Sequence, residues 1–338
     1  MWIFLCGILA CGHSDPNQQP KGSRQVHMAT PDDDNESLKD NLLEDSTFEK
    51  NTNDEDATSS VENDDNNTTH NVEHSSANSS TKKALIIGLG QQKDKSWSKI
   101  NGDKDIPYVK EMLSYYGYDD IRVLVNQQAT KVGIVSAFKT LANDCKKGDV
   151  VYVHFSGHGQ QVTDVNGDEN DGWDEAWIPY DAYLEYGDND KGEKHLIDDE
   201  IYVLLSSIMD KIGDDGKLLV VVDACHSGGS TRGRKEIDVV RGVFDEFVIP
   251  DVKSTKSSRL PEKWLTLSAC KNYQINQEMP NRPVGKLTYA LYVVSKGNKV
   301  SLDELTHFME QHRSRLPQTP ELTGKENTRY NITDFFKE

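Results

Sequence analysis

The sequence predicts an α/β domain with one mostly parallel β-sheet and helices on both faces, and three observations support this fold class. Strand-like and helix-like segments alternate from Lys82 onward. Several of the strand-like segments, such as "KLLVVVDAC" (217–225), are apolar throughout. The composition also changes near residue 80, where an acidic, polar region gives way to a region with a core. Strands that are apolar on both sides are typical of parallel sheets buried between helices.

The elements of this fold follow one another along the chain. Buried-strand patterns occur in "KKALIIGL" (82–89), "IRVLVN" (121–126), "GDVVYVHFSGHG" (148–159), "KLLVVVDAC" and "KWLTLSAC" (263–270). Apolar residues at helical spacing predict helices over residues 104–118, 130–146, 199–212, 285–295 and 302–313. In open sheets of this kind, functional residues gather at the carboxyl ends of the strands. The residues that follow each strand are therefore the first candidates for a site.

The N-terminal quarter differs from the rest in charge and composition. Residues 1–80 carry sixteen Asp or Glu and four Lys or Arg, so they account for −12 of the formal net charge of −18. Residues 17–80 contain too few apolar side chains to offset the entropy of ordering, and we expect a disordered acidic linker. Residues 81–338 are enough for one domain with a sizeable core. The mild acidity of that domain argues against nucleic acid as a partner.

Residues 1–16, "MWIFLCGILACGHSDP", have the character of an export leader. The apolar run is too short to span a membrane as a helix. Its end, Ile8-Leu9-Ala10-Cys11, resembles a bacterial lipoprotein signal, which predicts export and a membrane tether through a lipidated Cys11. Because no Lys or Arg precedes the apolar run, an ordinary cleaved signal or a misassigned start codon stays open.

Three cysteines lie in the folded part: Cys145, Cys225 and Cys270. Their odd number and scattered positions do not form a disulfide framework, and no CxxC spacing points to zinc. Cys145 and Cys270 are expected to be buried small apolar side chains. Cys225 differs because it follows an apolar strand and precedes two glycines.

Two predicted strand ends carry reactive groups, His158 in "SGHG" and Cys225 in "DACHSGG". A thiolate is an effective nucleophile, and a neighbouring imidazole can generate it and later protonate a leaving amine. Either residue alone has a plainer explanation, a buried thiol or a histidine satisfied by local hydrogen bonds. Their pairing at corresponding strand ends favours a Cys-His hydrolase. The adjacent His226 would point to the opposite side and is interpreted as structural.

The motifs together resemble the metacaspases, a group of caspase-like cysteine peptidases. The resemblance spans Lys82 to Leu322 and rests on a series of ordered segments: "HFSGHG", "DVNGDENDGWDEAWIPYD", "LIDDEI", "VVVDACHSG", "LSACKNYQ", "GKLTYAL" and "QTPEL". It implies a caspase-like fold. It further implies a large-subunit-like part (81–230), a connecting loop (231–261) and a small-subunit-like part (262–338).

The resemblance also assigns catalytic roles. Cys225 would be the nucleophile and His158 its dyad partner, and the backbone N–H groups of Gly159 and Cys225 would form the oxyanion hole. The implied activity is that of a cysteine endopeptidase acting through a thioester acyl-enzyme on peptide or protein substrates, with the enzyme expected to be a monomer. Two alternatives stay open: an Asp-specific caspase-type peptidase, and a catalytically silent binding module with the caspase fold.

For the specificity pocket, the resemblance implies Asp223 at the floor and Ser156 and Asp105 at the walls. Paired carboxylates in a cleft select a cationic side chain, so cleavage is expected after Arg or Lys. Asp223 could instead cap nearby turn amides. Asp105 could instead be an exposed acid at a helix N-terminus, where the dipole favours it.

A calcium site is the remaining implication of the resemblance, with Asp174, Asp198 and Asp199 as ligands. Clustered oxygen ligands suit calcium. Arg232 stands where the family often has an aspartate, which leaves calcium binding open. The loop "DVNGDENDGWDEAWIPYD" (164–181) is only a near match to an EF-hand, since Glu169 occupies the position of the turn glycine. A solvated acidic loop is the alternative.

The connecting loop is polar and is expected to be exposed and mobile. An enzyme specific for Arg or Lys would meet basic residues in this loop, which predicts self-processing; the basic residues singled out are Arg232, Arg234, Lys235, Lys253, Lys256 and Arg259. A basic surface loop that is never cut is the alternative.

Overall fold

The computed structural model describes residues 80–225, 239–243, 245–252, 261–297, 299–314 and 316–337. The leader with Cys11, the linker up to residue 79 and the whole set of basic loop residues named above lie outside the described residues, as does His226. Within the described ranges, no helix has the length and apolar character needed to cross a membrane.

The central sheet has six strands. They are β1 (Lys82–Gly88), β2 (Asp120–Val125), β3 (Val150–Ser156), β7 (Lys217–Asp223), β8 (Leu265–Ser268) and β9 (Glu321–Thr323). Their order across the sheet is β2-β1-β3-β7-β8-β9, and every pairing is parallel except that of β8 with β9. The predicted mostly parallel sheet is therefore confirmed, and the strands β3 and β7, which are buried along almost their whole length, lie side by side at its centre.

Helices cover both faces of this sheet, as predicted. They are α1 (Asp105–Tyr115), α2 (Lys131–Asp144), α3 (Asp198–Ile212), α4 (Lys286–Ser295) and α5 (Leu302–Gln311). One core contains Ala84 and Ile86 with the apolar sides of α1, α4 and α5, and the other contains Leu85 and Ile87 with those of α2 and α3. Alternate residues of one strand thus enter opposite cores, which explains the continuous apolar runs.

A second, antiparallel sheet of three strands was not predicted. It contains β4 (Gly159–Thr163), β5 (Trp173–Trp177) and β6 (Leu196–Ile197), in that order. Part of the segment 164–181 is therefore a strand and not a loop. The reason is that Ala176 and Trp177 are buried and pair with Gln160 and Gly159, although acidic residues surround them in sequence.

The connecting segment is also less exposed than its composition predicts. In its described parts, 239–243 and 245–252, the side chains of Arg241 and Phe247 are fully buried. Phe247 packs in a small core with Val162 and Ala176, and its backbone N–H donates to the carbonyl of Gln161 at 2.8 Å. The expectation of an exposed loop is wrong for these residues, because one aromatic side chain anchors the segment to the antiparallel sheet.

Candidate active site

The register of β3 and β7 brings the two predicted reactive residues together. Ser156 lies opposite Asp223 at the carboxyl ends of these strands. His158 and Cys225 each follow two residues later, and the N–H of Gly157 donates to the carbonyl of Asp223 at 3.4 Å. Because the strands are neighbours and parallel, equal offsets place the imidazole and the thiol at the same edge of the sheet.

His158 is fully buried and its hydrogen bonding defines its tautomer. Nε2 lies 2.8 Å from the carbonyl oxygen of Ser98, and since a carbonyl can only accept, Nε2 carries the proton. Nδ1 is buried and has no hydrogen-bond partner among the described residues. The ring packs against Trp97 at a centroid distance of 5.1 Å. Burial lowers the pKa of His158 to about 4, so at neutral pH Nδ1 offers a free lone pair.

Cys225 is buried next to a second thiol. Its Sγ donates to the carbonyl of Gln274 at 3.1 Å, and Sγ of Cys270 lies 3.5 Å from the same oxygen. The pKa of Cys270 is raised well above its ordinary value, mainly by a hydrogen bond with Cys225 and secondly by burial. Cys145 and Cys270 are both buried, as predicted. The contact between Cys270 and Cys225 was not predicted. Cys225 also borders a cavity of about 380 Å³ that reaches Trp264.

Asp105 and Asp223 face a buried arginine from the chain itself. The guanidinium of Arg241 donates to both carboxylate oxygens of Asp105, with Nη2 3.0 Å from Oδ1, and its Nη1 lies 3.5 Å from Oδ1 of Asp223. All three side chains are fully buried. Asp105 is therefore not an exposed helix-N-terminal acid. Burial alone would raise the pKa of Asp105, but the charge and hydrogen bonds of Arg241 lower it below its ordinary value.

Polar groups hold the two carboxylates in place. Ser156 Oγ donates to Asp105 at 2.7 Å, so this residue supports the pocket acid and contacts His154 on its other side. Thr288 donates to Asp223 through its hydroxyl at 2.6 Å and its backbone N–H at 2.9 Å. Fixed donors of this kind hold a carboxylate in one orientation in a buried site.

The backbone next to Arg241 pairs with residues 276–278 through main-chain hydrogen bonds. The N–H of Arg241 donates to the carbonyl of Asn276 at 3.1 Å, and the N–H of Glu278 donates to the carbonyl of Val239 at 3.0 Å. Val240 forms an antiparallel bridge with Gln277. A peptide that adds to an exposed edge makes the same ladder of main-chain hydrogen bonds.

The carbonyl of Arg241 points to the predicted nucleophile. The backbone N–H of Cys225 donates to this oxygen at 2.7 Å. The following residue, Gly242, packs so closely that an added Cβ would collide with the carbonyl oxygen of Cys225. The peptide bond from Arg241 to Gly242 thus lies against Cys225. Gly159, the other predicted oxyanion donor, begins β4 directly after His158.

The predicted metal ligands lie in a larger acidic cluster. Carboxylate oxygens of Asp164, Asp168 and Asp174 lie within 4.8 Å of one another, and those of Glu169, Glu175 and Asp198 form a second such group. Burial, then the charges of Asp198, Asp164, Asp199 and Asp168, raise the pKa of Asp174 to about 8. Asp199 accepts a hydrogen bond from Asn166.

Sequence reasoning missed several residues of this site. Asp164 was not singled out among the acids of its loop. A usable signal was present, because an Asp-x-Asn-Gly sequence is typical of a turn in which the carboxylate accepts hydrogen bonds from turn amides. Arg241, Asn276 and Glu278 belong to none of the motifs quoted above, and Thr288 lies within "GKLTYAL" but had no role assigned to it. Only the three-dimensional structure brings them to the strand ends.

The sequence is similar to known proteins over the region that contains His158 and Cys225. Residues 82–231 match the family profile described as "Metacaspase, peptidase C14 domain". The chain is 32% identical over 163 residues to Metacaspase-1A of Aspergillus oryzae, which covers 46% of this chain and 36% of that protein. It is 33% identical over 158 residues to Metacaspase-1A of Aspergillus niger, covering 44% and 36%. The matched region thus spans little more than a third of the length of these relatives.

A solved structure shows the same fold. The crystal structure of a structural-genomics target protein from Geobacter sulfurreducens superposes with a TM-score of 0.55 at 24% identity, covering 76% of this chain and 97% of that one. The central sheet and its flanking helices thus form the layered α/β fold that the sequence predicts. Over residues 82–231 the chain is similar to the metacaspase peptidase domain, in agreement with the family predicted from its motifs.

Proposed function

We propose that the chain is a cysteine endopeptidase that cleaves peptides after Arg or Lys. One observation carries this proposal: the chain's own Arg241 lies in the site as a substrate residue would. Its guanidinium pairs with Asp105 and Asp223 while its carbonyl oxygen accepts a hydrogen bond from the N–H of Cys225. One residue thus occupies both the specificity pocket and the position next to the candidate nucleophile.

The arrangement supports acyl transfer through a thioester. Nδ1 of His158 accepts the proton of the Cys225 thiol, and Sγ attacks the carbonyl carbon of the bound Arg or Lys. The resulting oxyanion is stabilised by the N–H of Cys225, with that of Gly159 as the second donor. The C–N bond then breaks as His158 returns its proton to the leaving amine. Water, deprotonated by His158, hydrolyses the thioester and restores the thiol.

The charge of the pocket favours a basic substrate residue. Asp105 and Asp223 are fully buried carboxylates, and removal of their cationic partner would leave them uncompensated. A substrate ending in Asp would add a third negative charge there. The pocket therefore argues against the Asp-specific alternative.

Self-processing is the second part of the proposal. The same reaction applied within the chain would break the bond between Arg241 and Gly242, which lies against Cys225. The nucleophile would form a thioester with Arg241 and release the amine of Gly242. The basic residues named from the sequence flank this position on both sides, but Arg241 is the one seated in the pocket.

The experiment is an assay of fluorogenic peptides ending in Arg, Lys or Asp, with wild type and Cys225→Ala, in calcium and in chelator. Turnover of the Arg and Lys peptides by wild type alone is the expected result. Preference for the Asp peptide would overturn the pocket assignment, and no turnover under either condition would favour the silent binding module. Intact mass spectrometry should show wild type split after Arg241 and Cys225→Ala unsplit.

We propose that the acidic cluster binds calcium. Asp174 fits a cation because both of its carboxylate oxygens are buried and have no partner in the described part of the chain. Asp164 and Asp168 supply further oxygens within 4.8 Å, and Asp198 and Asp199 contribute charge nearby. A bound calcium ion would neutralise this charge and hold the segment between β4 and β5.

A further inference from the structure

We propose that Glu278 makes the pocket selective for arginine over lysine. The inference rests on the proposed function and concerns a residue that no motif of the sequence assigned to the site. Glu278 is buried, and its Oε1 lies 3.2 Å from Nε of Arg241. Asp105 and Asp223 contact the two terminal nitrogens, so Glu278 contacts the only nitrogen nearer to the backbone.

Lysine cannot make this third contact. Its side chain has a methylene where arginine has Nε–H, and it ends in a single ammonium group instead of a planar fork of donors. A bound lysine could satisfy Asp105 or Asp223 at the end of the pocket. It would leave Oε1 of Glu278 facing a methylene, and a buried carboxylate that loses one of its charged donors is less well stabilised.

Other contacts hold Glu278 in position whether or not a guanidinium is present. The backbone N–H of Asn101 donates to Oε1 at 2.6 Å, and the side-chain amide of Asn101 donates to Oε2. The backbone N–H of Glu278 donates to the carbonyl of Val239, in the segment that carries Arg241. Because its main chain and its carboxylate are both fixed, Glu278 cannot easily turn away from a lysine.

The expected preference follows from the worth of a hydrogen bond between charged groups. Losing one such bond in a buried site costs about ten- to hundredfold in kcat/KM. Wild type is therefore expected to cleave an Arg peptide more efficiently than the matched Lys peptide by a factor in this range.

The test measures kcat/KM for two peptides that differ only in Arg or Lys before the scissile bond. Glu278→Gln and Glu278→Ala should lower the value for the Arg peptide and change that for the Lys peptide little, so that the ratio falls. Glu111→Gln is the matched control, since Glu111 is a partly buried acid on α1 that accepts a hydrogen bond from Tyr292. Its Arg-to-Lys ratio should equal that of wild type.

Outcomes separate this inference from the proposed function. Equal cleavage after Arg and Lys by wild type, or an equal loss for both peptides in Glu278→Gln, would overturn the role of Glu278 and leave the peptidase standing. No cleavage after either residue would overturn the peptidase itself. If the variants fail to fold, wild type alone decides: peptide aldehydes ending in Arg should inhibit about ten- to hundredfold more tightly than those ending in Lys, and equal inhibition constants would contradict the inference.

Discussion

The backbone N–H of Cys225 donates a hydrogen bond of 2.7 Å to the carbonyl oxygen of Arg241. This contact joins the candidate nucleophile to a residue of the connecting segment whose guanidinium fills the acidic pocket. Under the proposed function, an intact chain in this arrangement blocks its own site, because a substrate arginine would need the position that Arg241 occupies. Access for other substrates therefore requires that Arg241 leave, by cleavage or by movement of residues 239–243.

Arg241→Ala should destabilise the intact protein. The substitution leaves Asp105, Asp223 and Glu278 buried without their shared cation, a loss of about 3–5 kcal/mol in the free energy of unfolding. Urea unfolding in the Cys225→Ala background, where the chain stays intact, measures the effect. Benzamidine, whose amidinium fits the same carboxylates, should restore part of the stability in Arg241→Ala. Unchanged stability would show that the three carboxylates do not depend on Arg241.

Gly285→Ala should close the specificity pocket. A Cβ at this position would collide with Oδ2 of Asp223 and lie 2.5 Å from Nη1 of Arg241, where a substrate guanidinium is expected to bind. We expect cleavage after both Arg and Lys to be lost, with a cost in unfolding free energy of about 1–3 kcal/mol from overpacking. Gly297→Ala is the control, since its nearest contact would be 3.4 Å from the carbonyl of Val294. Full activity in Gly285→Ala would place the pocket elsewhere.

The sequence was sufficient to predict that His158 and Cys225 lie at the same edge of the sheet. Long apolar strands ended by His158 and Cys225 are local signals, and the parallel arrangement then forces their ends together. Asp223 could be predicted for the same reason, since it is the last residue of β7. Their positions can be predicted from which segments form strands and which strands are neighbours in the sheet.

The other half of the pocket could not be predicted in this way. Arg241 lies in a polar segment whose path depends on one distant anchor, Phe247 in the core of the antiparallel sheet. Glu278 reaches the site through pairing of its backbone with Val239. Both placements arise from long-range contacts of irregular segments, and neither periodicity nor composition reports them. The strand β5 was missed because buried Ala176 and Trp177 stand among acidic residues.

Asp174→Asn should weaken calcium binding. Asp174 contributes two buried oxygens without partners in the described region, and an amide offers a divalent cation one neutral oxygen in place of a charged carboxylate. At a calcium concentration of about 100 times Kd, binding stabilises wild type by about 2.7 kcal/mol, which thermal unfolding would detect and a chelator would reverse. The shift should shrink in Asp174→Asn and persist in Asp303→Asn, an exposed acid on α5. A wild type that does not respond to calcium would contradict the site.

Buried histidines should make the protein lose stability as the pH falls from 6.5 to 4. Burial lowers the pKa of His154, His158 and His195 from 6.5 to about 4, in His195 despite the nearby charge of Asp190. In this window the unfolded chain binds protons that the folded chain does not, so the stability present above pH 6.5 is progressively lost. Each histidine contributes roughly 1.4 kcal/mol per pH unit at most.

A comparison of variants isolates the contribution of one histidine. The pKa of Asp174 is raised, so its contribution to stability is lost as the pH rises from 3.8 to about 8. This pH dependence is opposite in sign to that of the buried histidines, and the total slope of stability against pH therefore does not identify the contribution of one histidine. His195→Gln should reduce the slope of unfolding free energy against pH between 6.5 and 4, measured by urea unfolding at each pH. His307→Gln, which removes an exposed histidine of α5, should keep the wild-type slope. If His195→Gln also keeps it, burial does not hold His195 neutral in the folded protein.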